Sequence, residues 1–263
     1  MSEFWLREAR VNTAGLELVY PEFEIQFRVE FDDTDDPDIA VVELYNLKRE
    51  TENRIKRGQE FILAAGYQGD IGTVLSGRIS DVHTFPDGVD RICEVEVVDA
   101  TEEFLDRRVS KTYKAGTKAS QILADILAMT GLEIGRIELP NDIAYSDGRT
   151  INARVRDIAK QIVSEAGGKL YINNGSIFAV PPDFTGEVAV LLNKDTGLLR
   201  SPTRIDSDDD RIWEIESLLN YRIRASSKVQ VASKTANGIF RVVKGEHRSG
   251  GDEHSTRIEV AEA

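Results

Sequence analysis

The side chains with most to offer chemically are three histidines, one cysteine and a large excess of carboxylates. His247 and His254 flank Asp252 and Glu253 in a polar stretch. Two imidazoles and two carboxylates make a donor set that zinc accepts. Their spacing matches no recognised ligand pattern. The chain is expected to hold no metal, and His247, His254, Asp252 and Glu253 are the candidates should one bind. Cys93 is the only cysteine, which excludes an intrachain disulfide and fits assembly in a reducing cytoplasm. Cys93, Val95 and Val97 alternate with Glu94 and Glu96, so the thiol reads as a small core side chain. No base or helix N-terminus adjoins it to make a reactive thiolate.

Catalytic signatures are missing. No G-x-S-x-G elbow presents a nucleophilic serine. The stretch GYQGDIG from Gly66 to Gly72 lacks both the lysine and the following helix of a phosphate-binding loop. The 46 Asp and Glu residues include many conceivable glycosidase pairs, but no spacing singles one out. Two acidic clusters, Asp32-Asp33-Thr34-Asp35-Asp36 and Asp206-Ser207-Asp208-Asp209-Asp210, lack the alternating ligands, central glycine and final glutamate of a calcium loop. Both read as solvated loops between strands. No enzyme activity, catalytic residue or cofactor is expected.

The formal net charge of −13 and a pI near 4.8 disfavour binding to phosphate backbones or to an anionic membrane. No apolar run approaches the ~20 residues that span a bilayer, so no membrane-spanning segment is expected. The start, MSEFWLREAR, shows no basic region followed by an apolar stretch, so no signal peptide is expected either.

The elements that would carry these side chains follow from periodicity. Ala119, Ile122, Leu123, Ile126 and Leu127 share one helical face, with Thr117 as the expected cap and Gly131 as the stop. Val155, Ile158, Ala159, Ile162 and Ala166 share another, with Thr150 as the expected cap and Gly167-Gly168 as the end. Asn174-Gly175 sets a type I′ hairpin turn. Phe23, Ile25, Phe27, Val29 and Phe31 alternate with charged and polar residues, the mark of a strand with one buried face. Strands are also expected at 4–11, 39–45, 61–67, 74–83, 90–98, 187–192, 228–232, 239–244 and 256–260, with a strand around the aromatic anchor Trp213. A short helix is expected before Gly58, a turn at Asn237-Gly238, and a loop over Arg248–Glu253.

The fold expected is α+β and mostly β: a compact barrel or sandwich of about six strands over the first hundred residues and a second β module, flanking a helix-helix-hairpin insert. The boundaries are 1–105 for the N-terminal β module, 106–182 for the insert and 183–263 for the C-terminal β module.

Four stretches resemble the baseplate hub proteins of contractile phage tails and related injection machines. They are KTYKAGTKASQILADILAMTGL from Lys111, the helix from Thr150 into GGKLYINNGSIFAV, DTGLLRSPTRI from Asp195, and the pair SLLNYRIRASSKVQVAS and NGIFRVVKGEH from Ser217 and Asn237. The resemblance covers Lys111 to Val260, and the N-terminal part agrees in character. It implies two tube-like barrels per chain and a homotrimeric ring joining a six-fold tail tube to a three-fold spike. The implied partners are the tail tube or a tube-initiator protein, the central spike protein and other baseplate proteins. The implied place is the virion tail baseplate, assembled in the host bacterial cytoplasm. Two other readings compete: a tail-associated carbohydrate or cell-wall hydrolase, and a host receptor-binding distal tail module. No added peptidoglycan-binding or lysozyme-like domain and no long β-spike is visible. No sequence-specific nucleic-acid binding is expected.

Overall fold

The computed structural model describes residues 6–100, 102–186, 188–206 and 211–263. The chain adopts the mostly-β, α+β class that the periodicities predict. Its first elements are β1 (Arg7–Thr13), β2 (Leu16–Val19), β3 (Ile25–Asp32), β4 (Ile39–Tyr45), α1 (Arg49–Glu52), β5 (Glu60–Tyr67), β6 (Asp70–Asp87) and β7 (Asp90–Val98). There follow α2 (Glu102–Asp106), β8 (Arg108–Tyr113), β9 (Thr117–Lys118), α3 (Ala119–Leu127), β10 (Glu133–Ile137), β11 (Ala144–Tyr145), β12 (Arg149–Arg154), α4 (Val155–Glu165), β13 (Lys169–Asn173) and β14 (Ser176–Val180). The last are β15 (Val188–Leu192), β16 (Thr203–Asp206), β17 (Arg211–Leu218), β18 (Lys228–Ala232), β19 (Asn237–Gly250) and β20 (Glu253–Glu262). No described helix is long and apolar enough to cross a membrane.

The chain divides into two compact units. One takes the described parts of Met1–Asp32, Asp38–Val98 and Thr185–Ala263, and the other takes Asp33–Pro37 with Asp99–Phe184.

The first unit is built on a 13-stranded sheet in the order β16-β17-β20-β19-β3-β4-β7-β6-β5-β1-β2, with β18 and then β15 joined to β19. Alternation explains its strands: Ile25, Phe27 and Val29 of β3 are buried while Arg28 and Glu30 are exposed. Two hydrophobic cores lie on this one sheet. Val11, Phe27, Val42, Leu63 and Val95 belong to the first. Ile215, Val229, Phe240, Val242, Ile258 and Val260 belong to the second, with Phe31 reaching it from the end of β3. Cys93 is fully buried in the first core.

The strand β19 links the two cores. Its start pairs with β18 and its end with β3, while β20 runs along its other edge. A register shift between Val242 and Lys244 lets it turn from one core to the other. The hydrogen-bonded order is therefore an open path running through both β modules, and no ladder closes a barrel among the described residues. The stretch Arg248–Glu253, which its polar and glycine content marks as a loop, instead finishes β19 and starts β20 around Gly251-Asp252. Ladder bonds to β20 and β3 hold it extended despite its composition. Asn237-Gly238 likewise opens β19, and the turn precedes it at Ser233–Ala236.

The second unit packs α3 and α4 on the β13–β14 hairpin, with β10 parallel to β14. Ile122, Leu123, Ile126, Ile158 and Ile162 meet Ile172 and Ile177, as the helical spacing predicts. Asn174 and Gly175 both have positive φ, the geometry a type I′ turn demands. The expected caps differ. Thr117 bonds back to the Lys114 carbonyl, and α3 is capped instead by Gln121 and by Asp142, which accepts the Ser120 N–H at 2.9 Å. Thr150 is drawn into β12 opposite Thr112, so α4 starts later, where the Val155 N–H reaches the Arg107 carbonyl at 2.9 Å.

The first acidic cluster is not left to solvent. Asp33 pairs with Lys169 at 2.5 Å, Asp35 with Lys160 at 2.8 Å, and Asp36 with Arg156. Positions 207–210 of the second cluster lie outside the described residues.

Candidate functional site

The ladder between β19 and β20 places His247 opposite Thr256 and His254 opposite Ser249. Strand parity turns both imidazoles inward, and they are 1% and 5% exposed. Asp252 and Glu253 stay exposed at the hairpin turn. The four metal candidates are therefore not gathered. Among the described residues, no group of three or more His, Cys, Asp or Glu side chains could hold a metal ion.

Each imidazole ties strands together. His247 meets the Thr256 hydroxyl at 2.8 Å, and its ring lies 4.8 Å from that of Phe31, where the two cores meet. His254 spans a wider gap. Its Nδ1 lies 2.9 Å from Ser249 Oγ and its Nε2 lies 3.0 Å from the Gly66 carbonyl on β5. A carbonyl only accepts, so Nε2 carries the proton and Nδ1 accepts from the serine hydroxyl. The Tyr67 ring stands edge-on at 5.1 Å, and its hydroxyl reaches the His254 carbonyl at 3.4 Å. Burial pushes the pKa of His247 down to about 3 and that of His254 down to about 4. At neutral pH both are uncharged.

Two more fixings act on this unit. Arg7 on β1 donates to the carbonyls of Gly251, Asp252 and Glu253 at 2.5–3.2 Å, pinning the hairpin turn. After β17, the Tyr221 hydroxyl and the Arg222 guanidinium both bond Asp70 at the start of β6, at 2.7–3.0 Å. The Arg222 bonds hold the Asp70 carboxyl below its ordinary value. The Tyr221 ring packs against Gly72, where any Cβ would overlap it.

Beside the hairpin, a shallow groove of about 460 Å³ runs over Gln26, Arg28, Val41, Glu43 and Arg248. Arg28 and Arg248 share Glu246, at 3.1 and 2.9 Å. Some of these side chains add to existing ladders, while His254 to Gly66 and Arg7 to the hairpin turn connect strands that are not ladder neighbours among the described residues. Sequence reasoning singled out the two histidines. It missed Arg7, Gly66, Tyr67, Asp70, Ser249, Tyr221 and Arg222, whose roles depend on distant pairings. A local signal did exist in the period-two placing of His247 with Ser249 and of His254 with Thr256.

No family model and no curated protein sequence matches the chain. Its fold is nevertheless that of known tail proteins. It is similar to the tail protein from Neisseria meningitidis MC58 over 98% of this chain and 97% of that one, at 10% identity and a TM-score of 0.72. The 43 kDa tail protein of prophage MuSo2 from Shewanella oneidensis matches over 97% of both chains, at 12% identity and a TM-score of 0.71. An E. coli component of the type VI secretion system, itself similar to the T4 bacteriophage tail proteins gp27 and gp5, matches over 96% of this chain and 76% of that one. Its identity is 11% and its TM-score 0.62. At such identities the likeness is one of fold.

Proposed function

We propose that this chain is a structural hub of a contractile phage tail or phage-like particle, joining a six-fold tail tube to a three-fold central spike. The observation that carries this reading is the pair of β cores on one continuous sheet. Three chains in a closed ring would present six cores to the tube and keep three-fold symmetry for the spike. The shared fold of tail proteins supports it. Its partners would be two further copies, the tube or a tube-initiator protein, the spike and other baseplate proteins. Its place would be the virion tail baseplate, reached after assembly in the bacterial cytoplasm. The role involves no catalytic step.

Analytical ultracentrifugation with the spike partner, followed by cryo-EM of the complex, tests the reading. A three-fold ring with two cores per chain is the expected result. A complex that stays strictly monomeric or dimeric would overturn it.

A further inference from the structure

We propose that His254 makes the seam between β5 and the β19–β20 hairpin an acid-released latch: the neutral imidazole holds it shut, and the imidazolium opens it while both cores persist. Among the described residues, the seam has no backbone ladder of its own. The ladder neighbours of β5 are β6 and β1, and those of β20 are β17 and β19. What crosses it is side chain: the imidazole to Gly66, the Tyr67 hydroxyl to the His254 carbonyl, and Arg7 to the hairpin turn.

Every element around the ring can be asked for a counter-charge. From β5 comes Tyr67, which is neutral, and from β1 come Arg7 and Glu8. The approach to β3 supplies Tyr20 and Glu24. From β19 come Ser249 and Arg248, and β20 adds Glu253, whose carboxylate takes the Ser255 hydroxyl at 3.0 Å. Glu8 and Glu24 line a cavity of about 20 Å³ beside the ring, yet both ring nitrogens are already bonded to uncharged oxygens. That volume holds about one water. A proton added at Nδ1 requires the Ser249 hydroxyl to rotate and accept, which supplies no counter-charge, and Arg7 adds like charge nearby. The imidazolium is thus stabilised by leaving the pocket for water. Burial, with Arg7 reinforcing it, already holds the ring well below its ordinary pKa. His247 lies deeper, where the two cores meet, and its protonation would disrupt packing instead of a seam.

The sign of the effect is fixed. The folded pKa lies below the unfolded value of 6.5, so the latch is at full strength above pH 6.5 and weakens as pH falls toward 4. Amide exchange, corrected for intrinsic rate, should be followed from pH 7.5 to 4.5 on the full chain and on His254→Gln. Glutamine can donate to Gly66 and accept from Ser249 but never charges. In the parent chain, protection at Leu219, whose N–H donates to the His254 carbonyl at 3.1 Å, should fall by about tenfold per pH unit below about 6, while Val95 and Val231 stay protected. His254→Gln should keep the Leu219 amide protected throughout.

Unchanged protection in the parent at pH 4.5, or equal loss in both proteins, would overturn the latch. Should His254→Gln not fold at pH 7.5, ¹⁵N NMR of the parent decides. The latch requires a protonated Nε2 at pH 7.5 and a ring titration that shares its midpoint with the loss of Leu219 protection. A ring that titrates near 6.5 without moving the Leu219 amide would overturn it.

Discussion

The two units of the chain bury different polar groups. The β unit buries uncharged imidazoles and relies on polar bonds between strands that no ladder joins. The helix-hairpin unit has an apolar core of local elements and draws residues 33–37 onto itself through full charges. All three histidines of the sequence fall in the β unit. The charge pairs on Arg156, Lys160 and Lys169 fall in the other. Both units carry ion pairs, Arg222 with Asp70 in the β unit among them, so the contrast lies in the buried histidines, which make the β unit the one that answers to pH between 6.5 and 4.

The strongest test of that contrast is Ile158→Asp. Ile158 is buried between α4 and the hairpin, and a carboxylate there has no partner in the apolar cluster. The cost should exceed about 4 kcal/mol and unfold the helix-hairpin unit. Amide exchange should rise across residues 119–180 while the strands of the β unit keep their protection. Joint loss would break the comparison.

Phe27→Ala follows at about 3–5 kcal/mol, since the ring is only 5% exposed in the first core. Arg28→Ala, on the outer face of the same strand, should cost less than about 1 kcal/mol. Urea melts read both, and equal losses would mean the strand parity is wrong.

Acid should separate the units next. Both buried histidines have folded pKa values below the unfolded 6.5, so the β unit is most stable above that pH. Around His254 the unit should lose about 1.4 kcal/mol per pH unit as pH falls from 6.5 toward 4, with its cores still protected. In the other unit, Arg149 holds Glu165 down, and Lys111 does the same for Asp125. Those depressed carboxylates keep their contribution until pH falls below their ordinary values, near 4. Unit-resolved exchange at pH 7.5, 5.5 and 4.5 checks the order; simultaneous loss would contradict it.

The smallest effect sharpens the account of the β unit. Gly72→Ala should cost about 1–3 kcal/mol, because its methyl would drive Tyr221 off the sheet and strain the bonds to Asp70. Chemical denaturation with Tyr221→Ala as background checks this. In that background the penalty should vanish.

The same contrast governs what could be read from the sequence. The helix faces around Ile122 and Ile158, the Asn174-Gly175 turn and the parity of β3 are local patterns, and the structure realises each. The stretch Arg248–Glu253 was illegible as strand because its inward residues are polar and its partner β3 lies about two hundred residues earlier; Arg28 meets Glu246 across a separation of 218. The fusion of two β modules into one sheet was hidden for the same reason. Thr117 and Thr150 carry good capping side chains, but distant partners on β11 and β8 took those segments into ladders first. The histidines were visible as chemistry, and their burial was not, since nothing nearby announces that Gly66 and Tyr67 will cover His254 or that Phe31 will cover His247.

The long β19 has a mechanical consequence. Antiparallel ladder bonds lie across the strand direction. A thrust along β19 therefore loads its bonds to β20, β18 and β3 in shear, all together, and does not peel them one at a time. The strand acts as a tie bar through the β unit. A push delivered at one core would reach the other along covalent backbone, with little play between them.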